Sequence, residues 1–255
     1  MKITVHSNIG KRRATNQDYA DYFVNGHGQH LFVLCDGVGG HQAGDVASKE
    51  TCEFVGEQFK TLNEALTLET VNQWYENVIQ AVNRVIYQRS VEHRELAGMG
   101  TTLVMALVID DCIKIAHVGD SRAYSYHAGT LKQLTQDHSL INELIKRGKI
   151  THEEGLVHPH RNVVTRSIGG VMEVEAELTE VPVEEVDILM LCSDGLTNMV
   201  SHEQLLNYLD SFASDDSLRA LGEQLVVAAN DAGGIDNISI ILVSEWHSPE
   251  GEVLA

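Results

Sequence analysis

Three apolar stretches of this chain each meet an aspartate at one end: Leu31–Asp36, Ile188–Asp194 and Asp236–Val243. Two run out through Asp36-Gly37 and Asp194-Gly195, and the third is entered through Asp236-Asn237. Singly, each pair reads as an ordinary turn, because Asp, Asn and Gly all favour turns. As a set they suggest more, since central strands can bring their ends together in one cleft. Carboxylates gathered there repel one another and rise in pKa unless a cation neutralises them. No Cys/His cluster is evident beside them, and all-oxygen ligands suit magnesium or manganese rather than zinc. Two such ions about 3.5–4 Å apart clamp a phosphoryl oxygen and acidify a bridging water. The chemistry in view is hydrolysis without a protein nucleophile.

Composition narrows the partners. With 18 Lys and Arg against 37 Asp and Glu, the formal charge is −19, which disfavours nucleic acid or an anionic membrane. A hydrophobic share of 43% over 255 residues is ample for a real core. The first residues, MKITVHSNIG, carry no apolar signal segment, and no stretch is long enough to span a bilayer. Cys35, Cys52, Cys112 and Cys192 are scattered without a C-x-x-C pair. They read as reduced core cysteines, and the expected location is the cytoplasm.

The elements that must position the aspartates follow from periodicity. Short strands are expected over residues 2–6 and 19–24, around a polar turn, Ser7–Asp18. Two helical patterns come after the Leu31–His41 stretch. The first covers Ala43–Lys60, and the second repeats apolar residues at threes and fours from Val71 to Ile86. Thr101–Ile109, Cys112–Val118, Ala123–Tyr126 and Thr130–Leu134 read as successive strands of one antiparallel meander. Residues 137–147 return to helix, with Gly148 as a stop, and Thr151 with Glu154 forms a capping-box pattern. Residues of about 138–170 are polar and loosely patterned, as expected of a surface flap. Strands resume over Glu173–Val181 and Asp187–Ser193. Ser201 with Gln204 opens one helix, Ser217–Asn230 forms another, and Ile238–Val243 is the last strand. With no linker or repeat, residues 1–245 read as one domain and 246–255 as a frayed tail. The order of elements suggests two sheets with helices outside.

Six short motifs now align with a family. They are Arg13-Ala14-Thr15-Asn16-Gln17-Asp18, Asp36-Gly37-Val38-Gly39-Gly40-His41, Gly100-Thr101-Thr102, Val118-Gly119-Asp120-Ser121-Arg122, Ser193-Asp194-Gly195 and Asp236-Asn237. In this order they resemble the metal-dependent serine/threonine protein phosphatases of the PPM or type 2C family, and the compact form looks like the bacterial branch. The resemblance spans residues of about 3–244. It implies an α+β fold, a four-layer α-β-β-α sandwich of two antiparallel sheets flanked by helices. It also implies hydrolysis of phosphoserine and phosphothreonine in proteins with two or three Mn2+ or Mg2+ ions. Asp36 would bridge two metals, with the Gly37 backbone carbonyl on one. Asp194 and Asp236 would complete the first site, and Asp120 with Asp194 would hold a third ion. Asp18 would act near the metals through water, and Arg13 would grip the substrate phosphate through its forked guanidinium. The implied partners are phosphorylated proteins and a cognate Ser/Thr kinase, and the chain is expected to be a monomer.

Departures from the pattern leave alternatives open. Gln17 replaces the glutamate of many members, and Val38 stands where eukaryotic members carry a histidine proposed as general acid. His41 is then the candidate general acid, since imidazole titrates in the useful range; metal-bound water is the alternative. His117 occupies a position that is often asparagine, and reads as a strand-end packing residue. His152, His158 and His160 read as solvated flap residues. Gly100-Thr101-Thr102 reads as strand packing beneath the site. The rival functions are a weakly active or inactive sensor or scaffold with the same fold, and a phosphohydrolase acting on small molecules.

Overall fold

The computed structural model describes residues 1–39, 43–212 and 217–246. The elements run β1 (Lys2–Asn8), β2 (Asp18–Val24), β3 (His30–Val38), α1 (Ala43–Lys60), α2 (Val71–Glu92), β4 (Gly100–Thr101), β5 (Leu103–Ile109), β6 (Cys112–Val118), β7 (Arg122–His127), β8 (Thr130–Gln133), α3 (Leu140–Lys146), α4 (His152–Leu156), β9 (Glu177–Pro182), β10 (Ile188–Cys192), α5 (Asp194–Thr197), α6 (His202–Asp210), α7 (Leu218–Asp231) and β11 (Ile238–Ser244). One sheet has the order β1-β11-β10-β7-β8. The other is β2-β3-β5-β6-β9, with β4 also on β3.

Strand parity builds the layers, because alternate side chains face opposite ways. On β3, Leu31, Val33 and Cys35 pack with α1 and α2 residues such as Val55, Phe59 and Tyr75. Phe32 and Leu34 instead join Ile241, Val243, Leu189 and Leu191 between the sheets. The far face of the first sheet, Met190, Ile240 and Leu242, packs on Leu205, Leu221 and Leu225 of α6 and α7. The result is the four-layer α-β-β-α sandwich with both sheets antiparallel, as the resemblance implied.

Parity also places the polar residues. Continuing the inter-sheet faces toward one end brings Asp36 after Leu34, Asp18 before Ala20, Ser193 after Leu191 and Ser239 before Ile241. His117 follows Ile115 on β6, and Glu177 lies opposite it on β9. The apolar inter-sheet core thus ends in carboxylates and imidazoles.

Several expectations need correction. The four strands after Thr101 are not one meander: β5 pairs β6 in one sheet, while β7 pairs β8 in the other. The chain changes sheets at Gly119, whose φ of +109° is open to glycine and whose missing Cβ leaves room for Thr102. The apolar run of β3 does not stop at the first glycine. It continues to Val38, with Gly37 opposite Thr101 and Val38 opposite Gly100. Asp194-Gly195 opens α5 rather than making a turn. The strand expected from Glu173 starts at Glu177. Leu140, Ile141, Leu144 and Ile145, which helical spacing over 137–147 puts on one apolar side, contribute only Ile141 to the buried set.

Both capping boxes, at Thr151/Glu154 and Ser201/Gln204, are present. The expected flap is pinned at its base by bridges of Ser139 to Val164 and of Thr101 to Ile168. Trp246, the first residue of the expected tail, packs beside the inter-sheet core and donates its indole N–H to the Val186 carbonyl. Residues 247–255 and His41 lie outside the described residues.

Candidate active site

Asp36 is held by its backbone from two sides. Its N–H donates to Thr102 Oγ1 at 2.9 Å, and its carbonyl accepts from Thr102 N at 2.8 Å and Thr101 Oγ1 at 2.9 Å. Thr102 Oγ1 also meets Ser121 Oγ at 2.7 Å. One hydroxyl therefore links the Asp36 strand to the Asp120 turn. Gly100-Thr101-Thr102 is packing, as expected, and it fixes the carboxylate's origin as well. Gly37 is required for a different reason from the one its carbonyl suggests: a Cβ would collide with the Gly44 and Gln17 backbones. The close approach brings α1 and the Gln17 segment against β3, and Gly37 N–H donates to Gln17 O at 2.9 Å.

Asp18 lies directly opposite Asp36 on β2. Its Oδ2 accepts from Ser193 Oγ at 2.7 Å, while Oδ1 is buried without a partner. Asn237 ties the two chain ends together: its Oδ1 accepts from Gln17 N, and its amide donates to Ile9 O and Thr15 O. Asp194 stands at the first turn of α5 and accepts from Asn198 Nδ2 at 3.0 Å. Arg13, with a side chain about half exposed, donates through Nη2 to Asp236 Oδ2 at 2.6 Å.

A cleft of about 230 Å³ gathers these groups. Arg13, Gln17, Asp36, Gly37, Asp120, Asp194 and Asp236 line it, with Asn162 and Val164 contributed from the flap. Every described residue that the sequence singled out as a ligand is therefore at one place. Asp18 lies just beneath.

The electrostatics are those of crowded acid. Burial, then repulsion from Asp18, Asp194, Asp120 and Asp236, pushes Asp36 well above the usual carboxylate range. Burial raises Asp18 to about 7 despite hydrogen bonds from Ser193 and Ser239, with Asp194 and Asp236 adding to the rise. Asp120 goes to about 7, by burial and then Asp194, and Asp194 to about 6, by burial and then Asp236. This donor set fits hard divalent cations, which would remove the repulsion and take oxygen ligands. Among the described residues, the group of three His, Cys, Asp or Glu whose ligand atoms all lie within 4.8 Å is elsewhere, at His117, His138 and Glu177. No three of the cleft's described carboxylates meet that spacing, although Asp36 and Asp194 lie within hydrogen-bonding reach of each other.

Sequence reasoning missed two parts of this arrangement. The hydroxyls of Thr102 and Ser193 are hidden in apolar strand runs. The pairing of His117 with His138 crosses from a strand to a distant loop, and period-based reading gives no sign of it. The available signal is Ser193 directly after the apolar run of β10 and Ser239 near the start of β11, two hydroxyls at the same end of the core.

The protein-family model described as Protein phosphatase 2C matches residues 8–230. Protein phosphatase PhpP of Streptococcus pneumoniae is 40% identical over 249 residues, covering 96% of this chain and 97% of that protein. Serine/threonine phosphatase stp of Listeria welshimeri is 40% identical over 243 residues, 95% of each chain. Among solved structures, Stp1 from Staphylococcus aureus superposes with a TM-score of 0.91 at 36% identity, covering 96% of this chain and 95% of that one. The catalytic domain of the phosphatase PstP, solved with two manganese ions, gives 0.80 at 30% identity over 94% of this chain and 96% of that one.

Proposed function

The chain belongs to the protein phosphatase 2C family, and from that premise we propose residue roles for its cleft. The protein is a metal-dependent protein serine/threonine phosphatase; the reading of each side chain rests on the crowded carboxyls around Asp36. Asp36, the Gly37 carbonyl, Asp194 and Asp236 would hold two cations, and Asp120 with Asp194 a third. Mn2+ and Mg2+ are the ions this oxygen set suits. Once bound, they supply positive charge for the phosphoryl oxygens and a more acidic water.

The chain's own residues do the remaining work. Arg13 reaches the cleft from an exposed segment and offers a planar fork of donors to a phosphate dianion. Its Nη2 partner here is Asp236 Oδ2, which would also be a cation ligand and would then leave the guanidinium free for phosphate. Asp18, accepting from Ser193 Oγ, orients water at the floor. Asn162 and Val164 line the cleft from the flap and restrict what enters beside the phosphate. His41 would protonate the departing seryl or threonyl oxygen.

Phosphorylated proteins and their cognate kinase are the partners in this reading, with the chain acting as a monomer. Among the described residues no helix is long and apolar enough to cross a membrane, and four free cysteines accord with a cytoplasmic setting. Hydrolysis of a phosphoserine peptide is the test, measured with Mn2+, after chelation, and after Mn2+ or Mg2+ is restored. Turnover is expected to vanish on chelation and return with either ion. Activity surviving complete metal removal would overturn the assignment.

A further inference from the structure

Behind Asp120 the same inter-sheet layer ends in a second polar cluster. His117 of β6 and His138, just ahead of α3, stack with ring centroids 4.7 Å apart and planes 13° from parallel. Glu177 Oε2 lies 3.6 Å from His117 Nε2 and 3.4 Å from His138 Nε2. Both rings are over nine-tenths buried. Two histidines and a carboxylate at this spacing have the composition of a zinc site.

The lone pairs oppose that reading. Gly119 N–H donates to His138 Nδ1 at 3.1 Å, so Nδ1 carries the ring's lone pair. A neutral ring then has its proton on Nε2, facing Glu177. His117 Nε2 is 2.9 Å from the Gln136 carbonyl, which can only accept, so this nitrogen also carries hydrogen. The two nitrogens nearest Glu177 are both donors, and a cation there would have to displace both protons and leave the Gly119 N–H unpaired. Burial keeps both rings neutral, lowering His117 and taking His138 to about 4.

We propose that Glu177 and His138 are positioning residues for the reaction: the carboxylate holds the proton on His138 Nε2, which leaves Nδ1 free to hold the Gly119 N–H and with it the Asp120 turn. The clamp has two points. His138 N–H donates to the Gly119 carbonyl at 2.9 Å while its ring accepts from the Gly119 N–H. Gly119 is thereby gripped through both of its backbone groups, one in each of its flanking peptides. The neighbouring residue reinforces it, since Asp137 takes a forked pair of bonds from Arg122, at 2.9 and 2.7 Å. The flap base and the turn bearing Asp120 therefore move as one body. The second point of the clamp exists only while the His138 proton stays on Nε2. Glu177 Oε2 and His138 Nε2 are both buried without a hydrogen-bond partner among the described residues and stand 3.4 Å apart, so a small rotation makes each the other's mate. The proposal rests on Asp120 being a cation ligand.

The test compares His138→Asn, His138→Gln and His138→Leu with Glu177→Gln and Asp120→Asn. Asn keeps an oxygen where Nδ1 stood and can still accept from Gly119. Gln keeps a donor near Glu177 but offers no acceptor at the δ position, and Leu offers neither. Two readouts are used, the Gly119 amide resonance and calorimetric titration with Mn2+. Asn is expected to keep the Gly119 resonance near its original position and Mn2+ affinity within about twofold. Gln should shift the resonance and weaken the loosest Mn2+ event roughly tenfold, the order of one buried hydrogen bond. Glu177→Gln should fall between them. Asn behaving like Gln, or an unmoved Gly119 resonance in Gln, would overturn the proposal, whether or not the Leu variant folds. Zn2+ binding by the wild type that Asn abolishes would replace it with a metal site. If Asp120→Asn leaves Mn2+ binding intact, the ligand reading of Asp120 fails, while the Gly119 shift still judges the clamp.

Discussion

The acidic cleft and the imidazole cluster end the same inter-sheet layer side by side, yet burial acts on them in opposite directions. In the cleft, desolvation and mutual repulsion lift Asp18 and Asp120 to about 7 and Asp194 to about 6. In the cluster, desolvation depresses His117 and takes His138 to about 4. Low dielectric disfavours whichever form is charged. The cleft is left with a conflict that a cation resolves, and the cluster has already resolved its own by staying neutral. One region is arranged for an incoming charge; the other holds its shape without one.

The most severe test of that contrast is Asp36→Asn. Removing the most crowded carboxylate should lower kcat on a phosphoserine peptide by at least about a thousandfold, in keeping with loss of a group acting on transition-state charge. Substantial residual turnover would show that Asp36 does not organise the cleft. Next in size is His41→Ala. A general acid matters most for a poor leaving group, so kcat should fall about a hundredfold for phosphoserine. The loss should be far smaller for p-nitrophenyl phosphate, whose phenolate departs unaided. Equal losses on both substrates would remove His41 from that role. Arg13→Ala should chiefly raise KM, by about tenfold, with kcat little changed, because a charge-assisted pair to phosphate is lost; an unchanged KM counts against phosphate binding.

The smallest expected effect concerns stability and compares the two regions directly. Asp18, Asp120 and Asp194 have folded pKa values above their ordinary 3.8. Between about pH 4 and 7 the folded metal-free chain therefore holds more protons than the unfolded chain, and stability falls as pH rises through that window. His138, lowered from 6.5 to about 4, has the opposite sign and adds stability as pH rises through 4 to 6.5. With His6, His30 and His117, four lowered rings oppose four raised carboxyls including Asp36, but the carboxyl shifts are the larger, so thermal melts in chelator should shift down by several degrees from pH 5 to 7.5. Adding Mn2+ should flatten the slope. A metal-free melting point that climbs over this range would mean the cluster, not the cleft, dominates.

Much of this was legible because the signals are local. The α1 and α2 stripes, both capping boxes and the strand ends at Asp36, Asp194 and Asp236 all lie within short windows, where period and turn chemistry speak. The sheet change at Gly119 was not legible, since a glycine between two strands looks the same whether the next strand pairs with the last or crosses to the other sheet. The same holds for His138. It reads as a polar residue before a helix, and only the packing of β6, β9 and the flap base makes it a neighbour of Gly119. The hydroxyls of Thr102 and Ser193 were hidden for a related reason: one polar atom inside an apolar run says nothing about which buried backbone or carboxylate it serves.

The place of β11 carries a further consequence. It is the C-terminal strand of the sandwich, yet it lies between β1 and β10, and it follows directly on Asp236 and Asn237. A ribosome releases these residues after every other strand has emerged. Until then β1 has no partner in its sheet, Arg13 has no Asp236, and Gln17 has no Asn237. Closing such long-range pairings is slow, and here the closing step is the one that completes the cleft. Phosphatase activity is thus a property the chain acquires late and all at once, so an unfinished or C-terminally clipped copy would be silent rather than promiscuous.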